Sequence, residues 1–245
     1  MEIIGLRVDP TSYLNATQDI VTWAYQKVSR IVCVANAHTI MEARDSKSFR
    51  EIVEGADLVT PDGMPLVWLL KLKGHPSQTR VYGPILMLYL LERASREDIP
   101  VGLYGGSQIS LQALIARLRI QFPKLSIVFS YSPPYREITH EEDSLFCYDL
   151  TQSGARILFV GLGCPKQERW MADHKGRINL VMIGVGAAFD FHAGVKPQAP
   201  PWMQNTGLEW LFRLLTEPRR LWRRYLLHNP RFIILAIADL LGLIH

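Results

Sequence analysis

The chain has 245 residues, 48% of them hydrophobic and 20% charged. That composition supplies a sizeable packed core and excludes a disordered or low-complexity protein. The net charge of +4 is local: from Leu208 to Arg231 six arginines stand against two glutamates, and the remainder is balanced.

Along the chain, short runs rich in Val and Ile alternate with stretches of helical period, the pattern of βαβ units and a mainly parallel sheet. The expected strands are residues 2–8 (EIIGLRV), 31–35 (IVCVA), 57–60 (DLVT), 101–105 (VGLYG), 125–130 (LSIVFS), 156–163 (RILFVGLG) and 180–186 (LVMIGVG), with helices between them. The fold class expected is α/β, a Rossmann-like sheet with helices on both faces. One helix start is well marked. Ser107 caps a run in which Leu111, Leu114, Ile115 and Leu118 recur at helical spacing until Pro123 stops it. After the last strand, three prolines in residues 192–202 (HAGVKPQAPPW) read as a linker. This places a catalytic domain at 1–195 and a helical appendage at 196–245.

The N-terminus lacks a basic region followed by a long apolar stretch, so no secretory signal is read. The longest apolar run, residues 232–244, is interrupted by Asp239 and is too short to span a bilayer. Cys33, Cys147 and Cys164 are odd in number and show no CxxC spacing. Neither a disulfide framework nor a zinc site is expected from them, and a reducing cytoplasm fits.

Three strands run directly into glycines: YGGS at 104–107, VGLGCPKQE at 160–168 and IGVGAAFD at 183–190. Ligands of open α/β sheets bind beyond the carboxyl ends of strands, where glycine lets amide groups approach a phosphate. Gly105, Gly161, Gly163 and Gly186 are therefore candidates for a nucleotide donor site, the alternative for each being only a tight turn. Lys166, Gln167 and Arg169, at the next helix start, suit a nucleotide diphosphate; an exposed polar first turn fits them equally well. Neither Gly161-x-Gly163 nor Gly184-x-Gly186 completes GxGxxG, the acid expected about 20 residues later is missing, and no GxxxxGK[ST] occurs. A nicotinamide-dependent dehydrogenase is thereby weakened, and a P-loop ATPase is argued against.

In VTPDGMPLVW, residues 59–68, Asp62 lies between a proline and a glycine where an apolar run gives way to a helical pattern. Spacing alone favours a helix cap at Asp62 over a reactive carboxylate. NAHTIMEA, residues 36–43, repeats the construction, with Asn36 at a strand end and His38 or Thr39 at a helix start. Two strand ends carrying polar side chains suit one reaction centre. His38 is the alternative base, and Asp190 and His192 raise the same question. No Asp-x-Asp pair occurs, so a site with neither metal nor cofactor is expected.

Taken together, NAHTIMEA (36–43), ADLVTPDGMPLVW (56–68), RVYGPIL (80–86), VGLGCPKQERWM (160–171), GVGAAFDFHAG (184–194) and APPWMQNTGLEWLFRLLTEPRRLWRRY (199–225) resemble the WecG/TagA/CpsF family of bacterial glycosyltransferases, glycosyltransferase family 26. The resemblance covers nearly the whole chain. It implies transfer of a sugar from a UDP-sugar to a lipid-diphosphate-linked saccharide at the cytoplasmic membrane face, without metal and with inversion, in teichoic acid, common-antigen, capsule or exopolysaccharide synthesis. It makes Asp62 the general base and places Asn36 and Gln167 in the donor pocket. Some members have threonine-proline before the asparagine; here Val34-Ala35 stands there, which bears on the donor sugar accepted. Loop 161–169 is expected to stabilise the departing diphosphate, with Arg80 a further candidate for which a surface salt bridge is the preferred reading.

From Trp210 to Leu226, apolar residues and arginines alternate at helical spacing, and Thr216–Pro218 reads as the start of a second short helix. A packed helix with a solvated cationic face is the general reading; the tryptophans beside the charge favour an anionic membrane surface. The resemblance implies that this appendage docks on the membrane and closes over the acceptor diphosphate, for which Arg80, Arg213, Arg220 and Arg223 are the candidates. The last apolar segment has three possible partners: the membrane, a second copy in a homo-oligomer, or the body of the protein. Nucleic acid is disfavoured because the basic patch is apolar-backed. A non-catalytic membrane-associated nucleotide-binding module is the remaining alternative.

Overall fold

The computed structural model describes residues 1–244. In chain order its elements are β1 (Glu2–Ile3), β2 (Leu6–Arg7), α1 (Tyr13–Gln26), β3 (Arg30–Ala35), α2 (Ala37–Asp45), α3 (Lys47–Glu54), β4 (Leu58–Pro61), α4 (Met64–Leu72), α5 (Gly83–Arg96), β5 (Val101–Gly105), α6 (Gln108–Gln121), β6 (Ile127–Tyr131), α7 (His140–Gln152), β7 (Ile157–Gly161), α8 (Lys166–His174), β8 (Val181–Gly184), α9 (Ala188–Ala193), α10 (Pro201–Asn205), α11 (Glu209–Thr216) and α12 (Pro218–Leu240). Six strands form a parallel sheet in the order β4-β3-β8-β7-β5-β6, flanked by helices. This is the expected Rossmann-like α/β class.

One expected strand is a hairpin instead. Residues 2–8 fold into the two-residue strands β1 and β2, paired antiparallel through Glu2↔Arg7 and Ile3↔Leu6. Ile4 and Gly5 between them have φ of 51° and 74°, the two left-handed residues that a two-residue hairpin turn demands. A β-branched residue rarely adopts that conformation, so the pattern EIIGLRV reads as continuous strand.

Two compact units divide the chain: residues 1–12, 34–82 and 198 onward form one, and 13–33 with 83–197 form the other. In the second unit Phe159, Phe189, Ile20 and Leu86 are fully buried, each contributing about 1.5–3 kcal/mol by leaving water. There β5 lies between β6 and β7, with Gly105 opposite Gly161. A Cβ on Gly105 would come 2.7 Å from the Gly161 carbonyl, and its φ of 121° is open only to glycine. Ser107 caps α6 as expected, its hydroxyl accepting the Ser110 N–H at 3.1 Å.

In the first unit, α12 runs for 23 residues straight through Pro230, longer than the short helix expected from Thr216–Pro218. Proline removes one backbone donor, but burial of Leu221 on one side of it and of Phe232 and Ala236 on the other supplies the packing that carries the helix on. The polar interruption Asp239 is a pin. Its Oδ2 accepts the Ile4 N–H at 3.0 Å and its Oδ1 accepts Lys73 Nζ at 2.7 Å. Arg231 forks onto Asp45 at 2.7 and 2.9 Å. The other face is bare: Trp222, Leu226, Ile233, Ile237 and Leu240 recur at helical spacing and are exposed. Among the described residues no helix is long and apolar enough to cross a membrane.

Removing the Asp239 carboxylate takes the side-chain acceptor from the Ile4 N–H and the ion-pair partner from Lys73, which keeps only the Glu2 carbonyl at 3.0 Å. Asp239→Ala should therefore lower stability by about 1–3 kcal/mol, read as a lower urea midpoint, and should speed amide exchange in the last turns of α12.

Candidate active site

Asp62 follows the last residue of β4, and the backbone holds it in place. Its N–H donates to Ala35 O at 2.8 Å, and Arg80 Nε donates to its carbonyl. Asp62 is not the helix cap that spacing favours. The cap of α4 is Gly63, which offers no side-chain bond, and Pro65 stands in the first turn. With a proline there and no capping acceptor required of it, the Asp62 carboxylate points elsewhere: Oδ1 lies 3.5 Å from Arg80 Nη2.

Arg80 is the hub of the unit's polar network and no surface salt bridge, since its side chain and those of Asp62 and Glu209 are all 14% exposed or less. Its Nη2 reaches Glu209 Oε2 at 2.6 Å, its Nη1 reaches Gln204 O at 3.3 Å, and its guanidinium carbon lies 3.9 Å from the Tyr82 ring centroid. Burial opposes its charge, but Asp62 and Glu209 outweigh burial and hold its pKa above the ordinary arginine value. Tyr82 donates to Glu209 Oε1 at 3.2 Å and accepts from Gln198. Burial and then the same two carboxylates push its hydroxyl pKa far up, so the phenol stays protonated.

Asn36 caps α2. Its Oδ1 accepts the N–H groups of His38 and Thr39 at 3.0 and 3.4 Å, and Thr39 Oγ1 accepts the Asn36 N–H at 3.3 Å. Thr39 is fully buried in this reciprocal box, so its hydroxyl shapes the turn and is not presented to a ligand. Asn36 and the Asp62 turn are fitted together: a Cβ on Gly63 would lie 3.2 Å from Asn36 Cβ and 3.3 Å from its Cα. His38, the alternative base, faces α12, with Nδ1 3.3 Å from His228 Nδ1.

The expected diphosphate loop belongs to the second unit. Gln167 is buried there, and its Oε1 accepts the N–H groups of both Gly163 and Gly186 at 3.0 Å each. Its Nε2 donates to the buried Glu168 at 2.9 Å. These two glycine amides are thus engaged by an internal side chain. Gly161 lies flat against Phe189, whose ring a Cβ would meet at 2.9 Å. Lys166 opens α8 and is exposed. Asp190 accepts Ser110 Oγ and pairs with Lys196, both at 2.8 Å. His192 meets Pro84 O at 2.9 Å through Nε2, and burial lowers its pKa, so neutral imidazole donates that bond. Both side chains are engaged within the second unit.

The tail arginines are spread over α11 and α12. Arg213 is half-buried; Arg220 and Arg223 are exposed, the first paired with Glu217 and the second 5.3 Å from the Trp222 ring centroid. Sequence reasoning from spacing missed Glu209 and Tyr82 as partners of Arg80. The only signal was that both stand inside the quoted RVYGPIL and GLEW blocks.

The sequence pattern of the glycosyl transferase WecG/TagA/CpsF family matches residues 1–244. An N-acetylglucosaminyldiphosphoundecaprenol N-acetyl-beta-D-mannosaminyltransferase of Bacillus spizizenii strain W23 is 30% identical over 217 residues, 86% of this chain and 80% of that protein. A protein of the same name from Bacillus subtilis strain 168 is 25% identical over 215 residues, 87% of this chain and 81% of its own. A match of this extent sets aside the dehydrogenase and non-catalytic readings. The chain is a glycosyltransferase of the WecG/TagA/CpsF family.

Proposed function

We propose that the chain transfers an N-acetylhexosamine from a UDP-sugar to a saccharide carried on a lipid diphosphate, in the synthesis of a cell-surface polymer at the cytoplasmic membrane face. The acceptor class rests on the two similar transferases, whose names specify a diphosphoundecaprenol-linked N-acetylglucosamine. The observation that carries the mechanism is the held carboxylate of Asp62, fixed through its own backbone by Ala35 and Arg80.

In this reading the acceptor hydroxyl oxygen attacks the anomeric carbon, the bond to the UDP oxygen breaks, and the hydroxyl proton passes to Asp62. A single displacement inverts the anomeric centre. Arg80 and Glu209 position the base: Arg80 holds the Asp62 carbonyl and lies 3.5 Å from its carboxylate, and Glu209 fixes Arg80 from the other side at 2.6 Å. Lys166 is assigned to the donor diphosphate; Gln167 holds the glycine turns at 163 and 186, and Thr39 holds the turn at Asn36. Arg213, Arg220 and Arg223 are assigned to the acceptor diphosphate, which the planar guanidinium fork suits. The bare apolar stripe of α12, together with Arg219, Arg220 and Arg223, is assigned to an anionic lipid surface.

UDP release from UDP-N-acetylhexosamines, assayed with and without a synthetic lipid-diphosphate N-acetylglucosamine, tests the activity; no acceptor-dependent release would sink it. Asp62→Asn should lower kcat by roughly 10²- to 10⁴-fold while UDP affinity and melting temperature hold. Glu209→Gln transfers the whole of Arg80 to Asp62 and should cut kcat about tenfold or more with KM for the donor unchanged. Replacing Arg219, Arg220 and Arg223 by alanine should weaken binding to phosphatidylglycerol vesicles roughly a hundredfold, at about 1 kcal/mol per charge, and hardly alter binding to neutral ones.

A further inference from the structure

His38 and Glu42 stand one turn apart on α2, on the face that α12 packs against. From α12 His228 enters the same point. Its Nδ1 is 3.3 Å from His38 Nδ1, and Glu42 Oε1 is 3.7 Å from His38 Nδ1. One ligand atom from each of the three lies within 4.8 Å of the others. An ion holding nitrogen at about 2.0–2.1 Å in a tetrahedron separates neighbouring ligands by about 3.3–3.4 Å. The imidazole pair already has that spacing. Two neutral imidazole nitrogens so placed share one proton at most, whereas a cation takes a lone pair from each.

We propose that His38, Glu42 and His228 bind one divalent ion of the zinc class, which clamps α12 to α2. Two imidazoles and one carboxylate are a borderline-soft donor set that suits zinc, cobalt or nickel better than magnesium or calcium. The His38 side chain is 12% exposed and that of Glu42 30%, which leaves an entry path and room for water as the fourth ligand. The clamp acts where it matters for the helix. Arg231, one turn beyond His228, already grips Asp45, one turn beyond Glu42, and the arginine-rich first turns of α12 precede His228. An ion here extends the α2–α12 grip toward those arginines and uses no group assigned to the transfer step.

The test uses the intact chain, stripped with EDTA and desalted, then titrated with Co²⁺ alone and Zn²⁺ alone. The expected result is one equivalent of Co²⁺ bound with the intense visible absorption of tetrahedral coordination, displaced by Zn²⁺, and a higher melting temperature with Zn²⁺. His228→Ala and Glu42→Gln should each weaken binding at least tenfold, and His140→Ala, at an exposed position of α7, should leave it unchanged. Glu42→Gln keeps the α2–α12 packing, so its result stands even if His228→Ala folds poorly. Wild-type binding no tighter than millimolar overturns the proposal. So does binding that survives both substitutions.

Discussion

A buried cation shared between two carboxylates organises the unit that carries Asp62. Arg80 ties the end of β4 to Glu209 at the start of α11 and rests on Tyr82. Leaving any one of these charges unpaired in a mostly buried setting costs about 3–5 kcal/mol, so the three hold one another in a single arrangement. The unequal distances, 2.6 Å to Glu209 and 3.5 Å to Asp62, are the useful part. They set Glu209 as the direct ion-pair partner of Arg80 and leave the Asp62 carboxylate at the longer distance.

Around that hub the backbone is fitted by small residues. Gly63 lets the Asp62 turn press against Asn36, as Gly105 lets β5 end against Gly161. Gln167 does with a side chain what a ligand does elsewhere in this fold class: one carbonyl oxygen gathers amide hydrogens from two different glycine turns. Those turns are therefore set by the protein itself, and Lys166 and Arg169 beside them are exposed.

Much of the fold was legible because its strands are contiguous apolar runs bounded by glycine or proline; residues 101–105 form β5 as read. The hairpin at 2–8 was hidden by Ile4, an apolar β-branched residue in a conformation that favours glycine. Asp62 looked like a cap because Asp caps helices well, yet the chain turns one residue later, at Gly63. The length of α12 was masked by Pro230, whose local cost the packing at Phe232 and Ala236 outweighs. The partners of Arg80 were illegible from spacing alone, since Asp62 and Glu209 stand 18 and 129 positions from it. His228 gave no signal at all, because a lone histidine acquires meaning only from what folds against it.

Asp239 has a second effect, on how its segment meets a bilayer. A carboxylate at the centre of a hydrophobic stretch raises the free energy of entry into the hydrocarbon core by about 2.5–3.5 kcal/mol. The segment around Asp239 is thus biased away from the hydrocarbon core, and in the fold the same carboxylate is taken up by the Ile4 N–H and Lys73. One side chain both disfavours immersion and fastens the helix.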